Sequence, residues 1–259
     1  AIILIIVVLM AIFGPMMCKY SYAEQNMSLR NASPSMDHWF GTDRMGRDIF
    51  VRILFGARIS LAVGCLAAVI NLIVGTIYGG IAGYVGGKVD MVMMRIVDII
   101  YSVPAMLYIV LIMLIFGASV ISIMLGISIT CWIDMARIVR QQVKSLKEQE
   151  FTMAAFVLGA SPSRILIKHL LINTMGQIIV TVTLMVPQAI FTEAWLSFLG
   201  VGISAPMASW GTLAQDARQL IMTYPMQTVY PMIAICITIF SFNFVGEGLE
   251  KALDPKRKR

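Results

Sequence analysis

Charge is scarce in this sequence. Of 259 residues only 13% are Asp, Glu, Lys or Arg, 20 basic and 14 acidic, against about 25% in an average soluble domain. So few charges cannot coat a water-soluble protein of this size, which excludes an ordinary soluble globule. The 59% hydrophobic content excludes intrinsic disorder, which needs the opposite balance. Cysteine is sparse as well. Cys18, Cys65, Cys131 and Cys236 show no metal-ligand spacing and mostly lie in apolar runs, so no disulfide framework is expected. There is no G-x-x-x-x-G-K-[ST] phosphate loop. The nearest fragment, Gly87-Lys88, has Ala82 at the required glycine position and Val89 after the lysine. No Ser/His/Asp set occurs, and His38 and His169 stand alone. Catalytic, cofactor-binding and metal-binding residues are therefore expected to be absent. The net charge of +6 rests on too few charges to suggest a nucleic-acid partner.

What the sequence has is long apolar runs. A spanning helix needs about 20 mostly apolar residues, and six stretches meet or approach that length: 1–17, 59–83, 98–116, 119–138, 176–199 and 226–246. The expected fold is all-α, a polytopic membrane protein with about six transmembrane helices in a lipid bilayer. The first run starts at Ala1 without a basic flank and reads as a helix cut at its start, from a natural chain that begins earlier. The other reading is a signal peptide cleaved near Ser21-Tyr22-Ala23, although this run exceeds the usual h-region of about 7–15 residues. The 20 methionines are scattered along apolar runs, as core packing would place them.

Loop charges set the orientation. With the first run starting inside, most of the 20 basic residues fall on the inner side, in 84–97, 139–175 and the tail, so both ends are expected to be cytoplasmic. The outer 18–58 loop dilutes the bias with Lys19, Arg30, Arg44, Arg47, Arg52 and Arg58. The expected division is a first helix at 1–17, an outer loop at 18–58, a five-helix core at 59–246 and a basic tail at 247–259. The core holds an inner loop at 139–175 and an outer loop at 198–225. The tail ends Asp254-Pro255-Lys256-Arg257-Lys258-Arg259, suited to anionic lipid.

Several constellations stand out. Over 42–58, Thr42 can cap a helix, and the pairs Asp43/Arg47 and Asp48/Arg52 sit four apart. Ile49, Phe50, Ile53 and Leu54 add an apolar stripe, which predicts an amphipathic helix at the outer interface. Gly75, Gly79, Gly83 and Gly87 repeat every four residues, allowing close helix approach; packing within the bundle is favoured over a seam with a partner subunit. In 139–175, Phe151, Ala154, Ala155 and Leu158 have helical spacing. Gly159 suits a helix end, and Ser161-Pro162 reads as the cap and first residue of a second helix. That helix–turn–helix serves equally as a docking knob for a cytosolic partner or as a plain loop with an interfacial helix. Glu193 lies near the outer end of its span, where an acid is functional or makes local hydrogen bonds. Asp98 and Asp134 lie near inner span ends, where water is close, and are expected as structural pairs for Arg95 and Arg137.

The run Phe40-Gly41-Thr42-Asp43-Arg44-Met45-Gly46-Arg47-Asp48, with Arg52, Gly56-Ala57-Arg58 and Ser60-Leu61, resembles the outer segment of the "C" type permease subunit of dipeptide/oligopeptide/nickel ABC importers. Residues 150–171 are similar to that family's EAA loop, the site that docks on the ATPase. Thr192-Glu193-Ala194, Leu196 to Gly200, Ser209-Trp210-Gly211, Asn243-Phe244-Val245-Gly246 and Leu253-Asp254-Pro255 extend the likeness over residues 40–255. Two departures stand in the loop: Met153 replaces the first acid, with Glu150 one turn earlier, and Leu171-Ile172 stands where Leu-Pro is frequent.

The resemblance implies a type I ABC importer permease fold in a bacterial inner membrane, and a chain that is not itself an enzyme. It implies a second homologous permease subunit, two cytosolic ATPase subunits that bind ATP and Mg, and an external substrate-binding protein. The coupling residues it implies are Glu150, Ala154, Ala155, Gly159, Ala160, Ser161, Pro162 and Arg164, with the small residues fitting a cleft. Glu193, Trp210, Asp216 and Arg218 become candidates for contact with the binding protein or the path. Di- or oligopeptide is the first expectation for substrate and nickel or a metal chelate the second. An ion-coupled secondary transporter and a membrane scaffold are the rival classes.

Overall fold

A backbone out of water must bond its own N–H and C=O groups, so apolar runs in a bilayer fold as helices. The computed structural model describes residues 1–203 and 206–253. Their secondary structure is helical apart from one isolated bridge between Thr42 and Asp48. In chain order the helices are α1 Ile2–Met17, α2 Ile49–Ile70, α3 Thr76–Val85, α4 Gly87–Ser102, α5 Ala105–Phe116, α6 Val120–Thr130 and α7 Ile133–Lys147. They continue with α8 Glu150–Val157, α9 Pro162–Arg164, α10 Ile172–Phe198, α11 Trp210–Arg218 and α12 Pro225–Leu253. π-helical turns at Asn71–Gly75 and Ile165–Leu171 join α2 to α3 and α9 to α10.

Four of the continuous helices are long and apolar enough to cross a membrane: Ile49–Val85, Val120–Lys147, Pro162–Phe198 and Pro225–Leu253. The α4–α5 pair passes the same test together, with a bend of 75°. α1 is apolar but has only 16 residues. The six expected spans thus become four continuous candidate spans, one bent pair and one short helix. The bend falls at Val103-Pro104 inside the expected run 98–116. Proline removes a backbone donor, and the residue before it avoids helical geometry.

Helix ends differ from the hydropathy runs because polar helical turns extend the spans. Residues 139–147 continue α7, and 162–175 already belong to the long helix that includes α10. The expected second interfacial helix is therefore the foot of the next span, and only 148–161 lies between the two spans. The amphipathic helix expected over 42–58 does not form as a unit. Residues 41–48 make a tight turn with Gly41 and Gly46 at φ +73° and +70°. Asp48, not Thr42, caps the helix, accepting from the Val51 N–H at 2.9 Å, and Ile49 onward is the start of a span.

Central α10 packs on α2, α11 and α12, while α3 lies along α7. A Cβ on Gly75 would sit 2.6 Å from the Met135 Cβ, one on Gly83 2.7 Å from the Arg140 carbonyl oxygen, and one on Gly79 against the Ala136 carbonyl oxygen. The glycine stripe is thus filled from within the chain by α7, as bundle packing requires. Gly87 is outside it, with φ +55° and open space around it. Asp90 on α4 binds Arg140 Nη2 at 2.7 Å and Lys144 Nζ at 3.0 Å, which fastens α4 to the same helix. In α1, Pro15 cannot donate to the Ala11 carbonyl four residues back; Arg58 Nε donates to it instead, at 2.6 Å. Ile2, Phe116, Phe240 and Phe244 are exposed, as a lipid-facing surface allows. Residues 254–259, which carry most of the expected basic tail, lie outside the described residues, as do 204–205 of the expected outer loop.

Candidate functional site

At one end of the bundle, α8 and the turn after it form a projecting element. Thr152 Oγ1 donates to the Leu146 carbonyl at 2.8 Å, which holds α8 to the end of α7. Gly159 has φ +81°, and its N–H donates to the Phe156 carbonyl at 3.0 Å. A Cβ there would meet nothing within 4 Å, so glycine is needed for backbone conformation, which L residues adopt at a cost of about 1–2 kcal/mol. The Ala160 N–H bonds the Ala155 carbonyl at 3.1 Å. Ser161 stands at the cap position without a side-chain capping bond, and Pro162 is the first residue of the next helix.

The two alanines of this element do different things. Ala155 is buried among Val139, Val143, Ile165 and Leu170, so its small size fits packing inside this chain and not an external cleft. Ala154, Glu150 and Arg164 are exposed. Phe156, Val157 and Leu158 are 71%, 83% and 86% exposed, a contiguous apolar knob of the kind that marks an interaction site. Met153 is also exposed; the acid expected there would have pointed away from this chain. Ile172 simply continues the helix.

Between α2, the α4–α5 bend, the α6–α7 junction and α10 lies a cavity of about 460 Å³. Tyr101, Ser102, Val103, Pro104 and Ala105 line it at the α4–α5 bend, and Thr130, Cys131 and Asp134 line it at the α6–α7 junction. Ala67 and Gln188, Ala189 and Thr192 of α10 close it. The pairing of Asp98 with Arg95 and of Asp134 with Arg137 is not found. Arg137 Nη2 instead binds Asp98 Oδ1 at 2.9 Å and its guanidinium lies 4.3 Å from the Tyr101 ring centre. Among the described residues Asp134 has no ion-pair partner. The signal for this cavity was Pro104 within the apolar run.

At the other end, the 41–48 turn is locked to α11 by charge. Arg47 Nε donates to Asp43 Oδ2 at 2.7 Å, and Arg52 Nη1 donates to the same oxygen at 2.5 Å. Both arginines also reach Asp216 Oδ2, at 3.3 and 3.4 Å. The expected Asp43/Arg47 pair forms across the turn, whereas Asp48 binds His38 Nδ1 at 2.8 Å in place of Arg52. His38, read as isolated, is thus a buried partner, and it stacks on Tyr20 at 4.7 Å. Burial pushes the Asp43 carboxyl up. Arg52, the Arg47 N–H, the Arg47 charge and the Met45 N–H outweigh it and hold the group below the usual carboxylate range.

Glu193 and Trp210 lie beneath this cap and are not surface groups. Glu193 is 0% exposed and accepts from Ser197 Oγ at 2.8 Å and Ser60 Oγ at 3.1 Å. Trp210 Nε1 donates to the Ile53 carbonyl at 3.0 Å. The Ser209–Thr212 capping box starts α11, and a Cβ on Gly211 would lie 2.6 Å from the Ala194 backbone. The Ser209-Trp210-Gly211 run therefore seats α11 between α2 and α10, and any contact of Glu193 or Trp210 with a partner would be indirect. Asp216 is half-buried in the charge cluster; Arg218 alone of the four candidates is exposed, 5.6 Å from the Phe198 ring centre.

A family model described as "Binding-protein-dependent transport system inner membrane component" matches residues 75–259, and one described as "N-terminal TM domain of oligopeptide transport permease C" matches residues 1–34. The chain is 51% identical over 258 residues to the oligopeptide transport system permease protein OppC of Bacillus subtilis (strain 168), covering 100% of this chain and 85% of that protein. It is 47% identical to the dipeptide transport system permease protein DppC of the same organism, covering 99% and 81%. Among solved structures, an inward-facing conformation of the MetNI methionine ABC transporter matches with TM-score 0.63 and 17% identity, covering 80% of this chain and 96% of that one. That likeness concerns the fold.

Proposed function

Because the chain belongs to the family of binding-protein-dependent transport system inner membrane components, and within it to the oligopeptide and dipeptide permeases, we propose that it is one transmembrane half of an ATP-driven peptide importer. A homologous permease subunit forms the other half, two ATPase subunits dock on the cytosolic face, and an external binding protein delivers peptide. The end carrying α8 and both chain ends face the cytosol.

The observation that carries this reading is the α8 knob. Three apolar side chains, Phe156, Val157 and Leu158, stand in solvent on a short helix whose other face is packed against α7 and the foot of α10. The side chains are free to enter a cleft, and the helix is held stiffly enough to transmit a push. When ATP closes the ATPase pair, α8 moves with α7 and α10, the bonded neighbours on either side of it, and the spans exchange inward- for outward-facing packing. A ligand drives such an exchange only through contacts that differ between the two states.

Co-purification tests it. The chain expressed with its neighbouring transport subunits is expected to bring down an ATP-hydrolysing partner, and Leu158→Glu is expected to lose that partner while still inserting. Retention of the ATPase by Leu158→Glu, with normal peptide uptake, would remove α8 from the coupling role. Purification with partners but without any uptake would favour the scaffold.

A further inference from the structure

We propose that the cavity at the α4–α5 bend and the α6–α7 junction holds the positively charged amino terminus of the passing peptide, with Asp134 as its carboxylate partner. This rests on the peptide-importer reading for what enters the cavity. The cavity's about 460 Å³ falls in the range of small-molecule sites, about 300–1,000 Å³. It lies where one span breaks, between α4 and α5, and beside the turn that joins α6 to α7. Interrupted helices free backbone groups for a ligand, and such irregular backbone at membrane depth persists where it lines a cavity.

The lining fixes the sign of the charge it prefers. Asp134 is its one acidic side chain; Lys, Arg and His are absent from the wall. The nearest cation along the helix, Arg137, is committed to Asp98 at 2.9 Å and to the face of Tyr101. The carboxylate therefore faces the cavity uncompensated. The ends of α4 and α6 and the starts of α5 and α7 all meet here, so the helix dipoles largely offset one another and the carboxylate sets the potential. Tyr101, Ser102, Thr130, Gln188 and Thr192 supply hydroxyl and amide groups that can serve an ammonium ion and the first peptide units. A divalent metal is a poorer match. One carboxylate and one thiol, Cys131, are fewer strong donors than the three or four protein ligands of a Zn site. Asp134 is exposed, so its carboxylate is within reach of a cargo that enters the cavity.

The test uses the complete transporter, with both permeases, ATPases and binding protein, in proteoliposomes. Uptake of radiolabelled trialanine and ATP hydrolysis stimulated by the loaded binding protein are measured for the wild type, Asp134→Asn, Asp134→Glu and Asp134→Lys. The expected result is uptake lowered about fivefold or more by Asn, as for loss of a partly screened ion pair, lowered further by Lys and restored by Glu, with stimulated ATP hydrolysis retained. Unchanged uptake in Asp134→Asn would overturn the proposal. A parallel fall of uptake and stimulated hydrolysis in every variant, Glu included, would also overturn it, because Asp134 would then be structural. A wild type that binds its ATPases but takes up no trialanine would refute the peptide reading itself.

Discussion

Arg52 Nη2 lies 3.4 Å from Asp216 Oδ2, so the first turn of one long span is tied to a helix that follows it by more than 150 residues. Arg52 is 2% exposed and shares Asp43 with Arg47. Breaking a buried pair costs about 3–5 kcal/mol, and the lower end applies here because Arg47 still faces Asp43 and Asp216. Arg52→Ala is thus expected to cost about 3 kcal/mol and to lower the thermal midpoint of the detergent-solubilised protein. Arg44, 39% exposed and 3.6 Å from Asp216, should cost no more than about 1 kcal/mol when replaced by Ala. Equal effects of the two variants would show that the cluster is not the clamp between α2 and α11.

The same cluster makes the 41–48 turn acid-sensitive. The Asp43 carboxyl sits below its ordinary range in the folded chain because the arginines and N–H groups favour its charged form over the opposing effect of burial. A lowered folded value adds stability that is fully present above the unfolded value of about 3.9 and is lost as pH falls through the folded one. Thermal midpoints should hold from pH 7 to about pH 5 and decline below about pH 4. Asp43→Asn should start lower and flatten that acid limb. An unaltered acid limb in the variant would assign the decline to other carboxylates.

The α3–α7 seam predicts a contrast between two glycines of one stripe. A methyl group at Gly79 would strike the Ala136 carbonyl oxygen, so Gly79→Ala must push the helices apart at about 1–3 kcal/mol, the usual cost of overpacking. Gly87 has free space and loses only through its φ of +55°, about 1 kcal/mol for alanine. Gly79→Leu should prevent accumulation of folded protein and Gly87→Leu should not. Expression and size-exclusion profiles of the pair distinguish these outcomes.

Glu193 gives a prediction about kind. Its oxygens accept from two serine hydroxyls, and glutamine can keep both contacts because a hydroxyl can turn from donor to acceptor. Glu193→Gln is expected to retain stability and peptide uptake. Glu193→Leu strands the serines and should cost about 1–3 kcal/mol. Loss of uptake in a stable Glu193→Gln protein would give the carboxylate a transport role that its burial does not suggest.

Hydropathy reports where apolar side chains are, not where a helix stops, so it found the bundle and misplaced its ends. Residues 139–147 and 162–175 carry charge and still wind helically because α7 and the foot of α10 project beyond the apolar zone. Thr42 was a plausible cap, but Gly46 permits a turn that lets Asp48 cap instead. Pro104 stands at the bend that the sequence reading missed, and Pro187 and Pro231 lie inside unbroken helices, so proline alone does not decide. The Asp98–Arg137 pair spans 39 positions and has no local trace. The small residues of 154–160 were legible as a motif; that Ala155 packs inward while Leu158 stands out was not, because their spacing suits either face.

The central claim is that this chain passes peptide under ATP control. The most direct test is uptake of trialanine by proteoliposomes containing the chain with its partner permease, ATPases and binding protein. The account predicts accumulation that requires both ATP and the binding protein and that Leu158→Glu abolishes. Accumulation driven by an ion gradient without ATP, or ATP-driven uptake that Leu158→Glu leaves intact, would contradict it.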